Sequence, residues 1–358
     1  MSAPRRTIAV DSPSRGRAGI GRLLGLAVLA LLLAAAALAF AAWRDYRHFA
    51  DAPLALEADA TLDIARGTSY RQIVRTLRRE GYTRAGPFYW RLLDREMGVA
   101  GRLHAGEYAL PVGITPRRLL AKMAAGDVLQ HQFTIVDGWT FRQLRVALAQ
   151  ETGLRQTLTT ASDEEIAAQL GLADVGAEGC CLPETYAWIK GESDLDVLRR
   201  AAAAMRRTLE ELWAARAPDL PLNSPYEALI LASIVEKETG IASERAEVAG
   251  VFVRRLRIGM RLQTDPTVIY GLGEGYTGRL RRRDLDGDTP YNTYTRAGLP
   301  PTPIALPGRA AIAATLAPAG GDALYFVAYG DGSGRHEFSA TLAEHNRAVA
   351  RYLERLRR

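Results

Sequence analysis

The chain of 358 residues is too long for one average domain and fits two domains with an appendage, and its apolar and charged fractions, 48% and 24%, are those of a globular protein. Of its formal net charge of +6, a share of +4 lies before Leu23, where five arginines face Asp11 alone, and the remainder carries only +2. A nearly balanced body without a basic stripe argues against a protein that binds phosphate backbones, so nucleic acid is not an expected partner.

An uncharged apolar run extends from Leu23 to Trp43. As a helix it spans about 31 Å, the thickness of a bilayer core. We therefore predict a transmembrane helix over 23–43, with the arginine-rich residues 1–22 in the cytoplasm and the body exported. A cleaved signal peptide is the alternative, because Ala39-Phe40-Ala41 resembles a cleavage site, but the long amino-terminal tail and the long apolar run favour a retained anchor.

A small module is predicted over residues 44–126. Residues 60–65 alternate like a strand, two apolar-periodic helical stretches follow, and a second strand-like run surrounds Tyr108. A trailing helix opens at Thr115-Pro116 and ends at Gly126. The pattern predicts a β-α-α-β unit with an added helix, followed by a larger mixed domain over 127–358, so the fold class is α+β.

The sequence contains a partial internal echo. The segment GTSYRQI, which begins at Gly67, aligns with GWTFRQL, which begins at Gly138, and each follows a strand-like run. Either the same strand-turn-helix arrangement occurs twice independently or the segment is duplicated. Two copies are too few for a solenoid.

One predicted helix places a carboxyl group where acid–base chemistry is favoured. Ser224-Pro225-Tyr226-Glu227 has the form of a capping box, and the following ALILASIV is apolar on every side, which indicates a buried helix. Glu236 lies at its carboxyl end, where desolvation and the helix dipole both raise a carboxyl pKa, as a general acid requires. The alternative is a carboxylate that points to water. Glu238 lies about 200° further around the helix, so both cannot face one cleft.

Several other kinds of site find no support. The five histidines show no metal-ligand spacing, so neither a metal nor a cofactor is expected. The glycine-rich GLGEG that begins at Gly271 lacks the residues of a phosphate loop, and Ser233 has no histidine close in sequence.

The run ILASIVEKETGIASERAEVAGVFVRRLRIGMRLQTDPTVIYG, from Ile230, resembles the YceG-like endolytic murein transglycosylases. Further matching motifs are YNTY, GLPPTPIALPG and LYFVAYGDGSGRHEFSATLAEHN, with an upstream EG and LPETY, so the resemblance covers about residues 23 to 350. Glu184 stands where the family usually has Asp, and Asp137 where it often has Glu.

The resemblance implies an enzyme of the Gram-negative inner membrane that cleaves the MurNAc-GlcNAc β-1,4 bond within nascent glycan strands and leaves 1,6-anhydro-MurNAc ends. The family's catalytic glutamate falls on Glu236, and the β-α-α-β unit is similar to a LysM-like module. The sugar's own 6-hydroxyl replaces the second carboxylate of ordinary glycosidases. The resemblance also implies a partnership with peptidoglycan synthases.

Two motifs supply candidate substrate-binding residues. Gln263, Thr264 and Asp265 form a polar turn before a proline, although Asp265 is equally typical of a turn residue that bonds its own backbone. A stacking face and hydrogen bonds for a sugar are expected from Tyr291, Asn292 and Tyr294, with a core aromatic as the alternative for Tyr294.

Two other functions remain open from the sequence. A catalytically inactive, membrane-tethered protein would bind glycan or scaffold the cell-wall synthesis machinery, and an envelope peptidase would act on the peptide stems. A retained Glu236 within a matching stretch favours the enzyme.

Overall fold

The computed structural model describes residues 17–357, which form two compact units that meet in sequence between Leu129 and Gln130. The predicted boundary was between Gly126 and Asp127. Helices and short antiparallel strand pairs make up both units, so the predicted α+β class is confirmed.

The first unit begins with one long helix. Its elements are α1 (Arg17–Asp51), β1 (Ala60–Ile64), α2 (Tyr70–Arg79), α3 (Pro87–Met97), β2 (Gly106–Leu110) and α4 (Pro116–Ala125). The predicted span 23–43 lies within α1, whose most apolar stretch is not buried in protein and is long enough to cross a membrane. The helix continues past that stretch, and Tyr46 and Ala50 are buried in the core of the unit.

A β-α-α-β unit follows α1, as the sequence pattern predicts. Strands β1 and β2 pair antiparallel, with Ala60 opposite Leu110 and Ile64 opposite Gly106. The inward faces of the strands and the apolar stripes of α2, α3 and α4 form one core.

The second unit has more elements and contains the site described below. It consists of β3 (Gln130–Thr134), α5 (Phe141–Ala149), α6 (Asp163–Gln169), β4 (Thr185–Ile189), α7 (Asp194–Ala214), α8 (Pro225–Glu238), α9 (Arg245–Arg257), α10 (Asp265–Leu272), α11 (Arg282–Asp286), α12 (Arg309–Leu316), β5 (Tyr325–Ala328), β6 (His336–Ser339) and α13 (Leu342–Arg355). Strands β3 and β4 pair antiparallel, as do β5 and β6.

The internal echo extends beyond the residues that align. The order β1-α2-α3-β2-α4 in the first unit is repeated as β3-α5-α6-β4-α7 in the second, with an antiparallel strand pair in each. Both first helices begin at a capping box, Ser69 with Gln72 and Thr140 with Gln143. The same local chemistry therefore starts the same supersecondary unit twice.

Helix α8 is the centre of the second unit. Every residue from Ala228 to Val235 is buried, so the helix is enclosed on all sides, as its composition predicts. The Ser233 hydroxyl donates to the Ile230 carbonyl oxygen (2.7 Å) and accepts the Ile304 N–H (3.0 Å). The bond from Ile304 fixes the loop before α12 against α8.

Cys180 and Cys181 are buried free thiols in the same core. Burial raises the pKa of the Cys180 thiol well above its usual value, so it remains protonated and behaves as a small apolar group.

Candidate functional site

Glu236 lies at the end of α8, where the buried helix reaches the edge of the core. The helix begins at Ser224, whose hydroxyl accepts the Glu227 N–H (3.2 Å), and Pro225 occupies its first position. The backbone is extended at Thr239, so the helix stops within one turn of Glu236. Only 6% of the Glu236 side chain is exposed.

Both oxygens of Glu236 have a donor. Oε2 accepts the backbone N–H of Gly308 (3.1 Å), and Oε1 lies 3.5 Å from Nη2 of Arg245. The first contact lies at the amino end of α12 and the second at the first residue of α9, so two helix starts converge on one carboxyl group.

A second carboxylate lies beside this pair. A Cβ atom added to Gly308 would be 2.2 Å from Oδ1 of Asp137 and 3.5 Å from Oε2 of Glu236. Oδ1 of Asp137 and Oε2 of Glu236 are therefore separated by no more than the sum of these two distances. A side chain at 308 would occupy the space between them, so glycine is required for this arrangement.

A small backbone network presents Asp137 and Gly308 to Glu236. The Gly138 N–H donates to the Leu306 carbonyl oxygen (2.9 Å), and the Leu306 N–H donates to the Trp139 carbonyl oxygen (2.7 Å). The Lys237 ammonium group donates to the Gly138 carbonyl oxygen (3.2 Å). The turn after β3 and the loop before α12 are thus fixed to each other and to the end of α8.

The surroundings of Glu236 raise its pKa above the usual value. Burial is the largest cause, and the negative charge of Asp137 acts in the same direction, whereas the Gly308 N–H and the Arg245 guanidinium oppose it. A carboxyl group with a raised pKa retains its proton to higher pH and suits general acid catalysis.

Glu178 supports the turn that carries Asp137, and sequence reasoning did not single it out as a site residue. Its Oε1 accepts the Phe141 N–H at the start of α5 (3.0 Å), and its Oε2 accepts the Tyr270 hydroxyl (3.1 Å). Burial raises its pKa to about 7. The EG dipeptide signalled this residue, but only the fold shows that its side chain joins α5 to α10.

A cavity of about 660 Å³ is lined by Glu178 and by Lys237, the residue that follows Glu236, and its lining does not include Glu236 itself. Glu178, Lys237, Tyr270 and Tyr276 contribute polar and aromatic groups to its wall. Polar and aromatic groups of this kind suit a sugar, which presents hydroxyl groups at its edge and an apolar face.

Glu238 faces a different part of the unit. It accepts a hydrogen bond from the Thr264 hydroxyl, and burial raises its pKa to about 6. None of the recorded partners of Glu236 contacts it. The two glutamates therefore serve separate surroundings, as the angular separation of residues two apart on a helix predicts.

Four of the six predicted substrate-binding residues gather around Glu238. Gln263, Thr264, Asp265 and Tyr294 line a cavity of about 420 Å³ with it. The Tyr294 hydroxyl donates to Asp265 (2.7 Å), and Gln263 adopts a left-handed φ of 48°. A non-glycine residue in that region stores backbone strain, which is common at functional sites.

The other two predicted residues lie elsewhere in the unit. The Tyr291 hydroxyl is 3.0 Å from the Thr302 hydroxyl. Asn292 is fully buried, and its amide donates to the carbonyl oxygens of Leu285 (3.0 Å) and Gly287 (2.6 Å). These contacts organise a turn, and neither residue is brought to Glu236.

Among residues 17–357, no group of three or more His, Cys, Asp or Glu side chains is arranged to hold a metal ion.

Asp137→Asn is expected to move the alkaline limb of the pH profile of kcat/KM to lower pH. Removing the negative charge lowers the pKa of Glu236, so the protonated acid is lost at a lower pH. On the alkaline limb we expect about a fivefold loss of kcat/KM, since one partly solvated charge interaction is worth about 1 kcal/mol. The kinetics of the glycan cleavage that the sequence predicts, followed from pH 4 to 9, measure the shift of the profile and the loss of kcat/KM.

Gly308→Ala is the matched variant for this prediction. The φ of Gly308 is −73°, which alanine adopts without strain, and the N–H bond to Glu236 is retained. The added Cβ displaces the Asp137 carboxylate, so its pH profile should shift in the same direction. A shift of either variant to higher pH would contradict the role of Asp137.

Known proteins similar to the chain agree on one family. The YceG-like family profile matches residues 62–351. An endolytic murein transglycosylase of Bacillus subtilis is 32% identical over 273 residues, which are 72% of this chain and 74% of the relative. One of Streptococcus pneumoniae is 27% identical over 91% of this chain, which spans 65% of that relative.

A solved structure that is similar to this chain also comes from a YceG-like protein. The crystal structure of a putative YceG-like protein from Listeria monocytogenes is similar with a TM-score of 0.50 and 29% sequence identity, over 81% of this chain and 98% of that one. The predicted family is confirmed, and the chain belongs to the YceG-like family.

Proposed function

We propose that the chain is an endolytic lytic transglycosylase that cleaves the MurNAc-GlcNAc β-1,4 bond of nascent glycan strands and so ends their elongation. The observation that carries this proposal is Glu236, a buried carboxyl with a raised pKa held between the Gly308 N–H and Arg245. The relatives named endolytic murein transglycosylase supply the reaction class.

The reaction needs one group that first gives and then takes a proton. Protonated Glu236 donates its proton to the glycosidic oxygen as the bond from that oxygen to C1 of MurNAc breaks. The 6-hydroxyl oxygen of the same sugar then bonds to C1 and gives its proton to the Glu236 carboxylate. The 1,6-anhydro end forms without water.

The remaining substrate contacts extend from this centre. We assign the cavity beside Lys237 and Tyr270 to sugars next to the cleaved bond. The predicted contacts of Gln263, Thr264, Asp265 and Tyr294 belong to the cavity around Glu238, with Tyr291 and Asn292 in supporting positions.

The same proposal covers the location of the protein. Residues 1–22 lie in the cytoplasm, α1 spans the inner membrane over 23–43, and the rest is periplasmic, which the arginine excess before Leu23 supports. Residues 44–126 act as a LysM-like module and 127–358 as the catalytic domain, close to peptidoglycan synthases.

The experiment is product analysis. The full chain in detergent is incubated with nascent glycan strands, and the ends are identified by mass spectrometry. We expect 1,6-anhydro-MurNAc ends. Reducing ends would indicate a hydrolase, released stem peptides a peptidase, and strands that bind without cleavage an inactive scaffold, and each of these would overturn the proposal.

A further inference from the structure

Arg245 is held beside Glu236 with few hydrogen bonds. Only 17% of its side chain is exposed, and within residues 17–357 its recorded polar contact is the 3.5 Å approach of Nη2 to Glu236 Oε1. Its Nε is buried without a partner. A buried donor that lacks an acceptor destabilises the folded state, so the fold alone does not explain this guanidinium.

Two other arginines on the same helix, the buried Arg255 and the half-buried Arg254, are bonded to acceptors of the protein. Arg255 donates from Nε to the Leu324 carbonyl oxygen (2.7 Å) and from Nη1 to that of Leu262 (2.7 Å). Arg254 likewise donates to two backbone carbonyl oxygens. Carbonyl oxygens of the protein therefore accept the donors of both guanidinium groups, and Arg245 differs from both.

The position of Arg245 in α9 is also unfavourable for a cation. It is the first residue of the α-helix, where the helix dipole disfavours positive charge. Residues that break a local rule in this way are commonly functional.

Arg245 needs another hydrogen-bond acceptor most when Glu236 is protonated. When Glu236 carries the proton that it donates, its carboxyl group is neutral, and Arg245 has lost its charged partner. Arginine stays protonated at all relevant pH values, so its donors remain available to a bound ligand.

We propose that Arg245 positions the substrate by binding an acyl oxygen of the MurNAc residue whose C1 is attacked. This inference rests on the proposed function. A guanidinium group forms its strongest hydrogen bonds with carbonyl and carboxylate oxygens. MurNAc carries two acyl groups on this side of the sugar, an acetamido group on C2, next to C1, and a lactyl group on C3, one carbon further away.

The experiment compares Arg245→Met with the unmodified chain on three substrates: complete strands, de-N-acetylated strands, and strands stripped of their stem peptides. Arg245 lowers the pKa of Glu236, so its removal moves the alkaline limb to higher pH. Rates are therefore compared on the acidic plateau, where Glu236 is protonated in both proteins.

We expect Arg245→Met to lower kcat/KM about 10- to 100-fold on complete strands, the usual effect of losing a hydrogen bond from a charged group. On strands that lack the bound acyl group the loss should fall to threefold or less. Loss of the effect on de-N-acetylated strands identifies the acetamido oxygen, and re-N-acetylation should restore it. Stem-free strands keep the lactyl group as a charged carboxylate, so a loss at least threefold larger on them than on complete strands identifies the lactyl oxygen.

Arg257→Met is the control, since Arg257 is an exposed arginine on the same helix, and its activity should be unchanged. Arg245→Lys should recover part of the loss. Equal losses on all three substrates, or no loss, would overturn the inference. If the unmodified chain cleaves no strands, the proposed function fails instead.

Discussion

Glu236→Gln is expected to lower the rate of strand cleavage about 100- to 10,000-fold, the range supplied by general acid–base catalysis. Glutamine has nearly the same shape, and its amide oxygen can still accept the Gly308 N–H. It cannot donate a proton to the leaving oxygen or accept one from the 6-hydroxyl. The yield of 1,6-anhydro ends per unit time measures the effect, with circular dichroism to establish that the variant is folded.

Glu238→Gln is the matched control, because it is the same substitution two residues further along α8. Its carboxyl group binds the Thr264 hydroxyl and shares no recorded partner with Glu236. We expect a loss of less than about tenfold, from weakened binding in its own cavity. A nearly inactive Glu238→Gln beside an active Glu236→Gln would transfer the acid–base role to Glu238.

Asp194→Ala is expected to destabilise the second unit by about 3 kcal/mol. The Asp194 side chain is 2% exposed and accepts the N–H groups of Thr157 and Leu158, together with the Thr157 hydroxyl. Alanine leaves these buried donors without an acceptor. At about 2–4 °C per kcal/mol for a domain of this size, the melting temperature should fall by about 6–12 °C.

Asp163→Ala provides the comparison. Asp163 also lies in the first turn of a helix, but its side chain is half exposed and pairs with Arg145 at the surface. Exposed ion pairs contribute about 1 kcal/mol or less. Equal melting temperatures for the two variants, measured by calorimetry, would show that the buried bonds of Asp194 contribute little.

The sequence alone was sufficient to predict the features that depend on a few neighbouring residues. The apolar surface of ALILASIV predicted that α8 would be buried, and therefore that Glu236 would leave the core at its end. The alternation of residues 60–65 predicted β1, and the capping box at Ser224 predicted where α8 begins. Each of these signals lies within a few residues of the element that it specifies.

The partners of Glu236 could not be predicted in the same way. Asp137, Arg245 and Gly308 come from the turn after β3, the start of α9 and the start of α12. Only tertiary packing brings these segments together. Gly308 is needed because it has no side chain, and such a requirement produces no periodic pattern in the sequence. The QTDP turn was a natural candidate for the same site, but Thr264 contacts Glu238 instead.

The long helix α1 carries a consequence for how this protein meets its substrate. Beyond the apolar stretch the helix has no flexible break: Ala50 is buried in the first unit, and Asp51 pairs with Arg117 (2.9 Å). With α1 as the proposed anchor, the first unit cannot drift away from the lipid surface as it would on a loose tether. The protein would then diffuse in two dimensions, and its proposed reaction would be confined to glycan strands that lie close to the lipid surface.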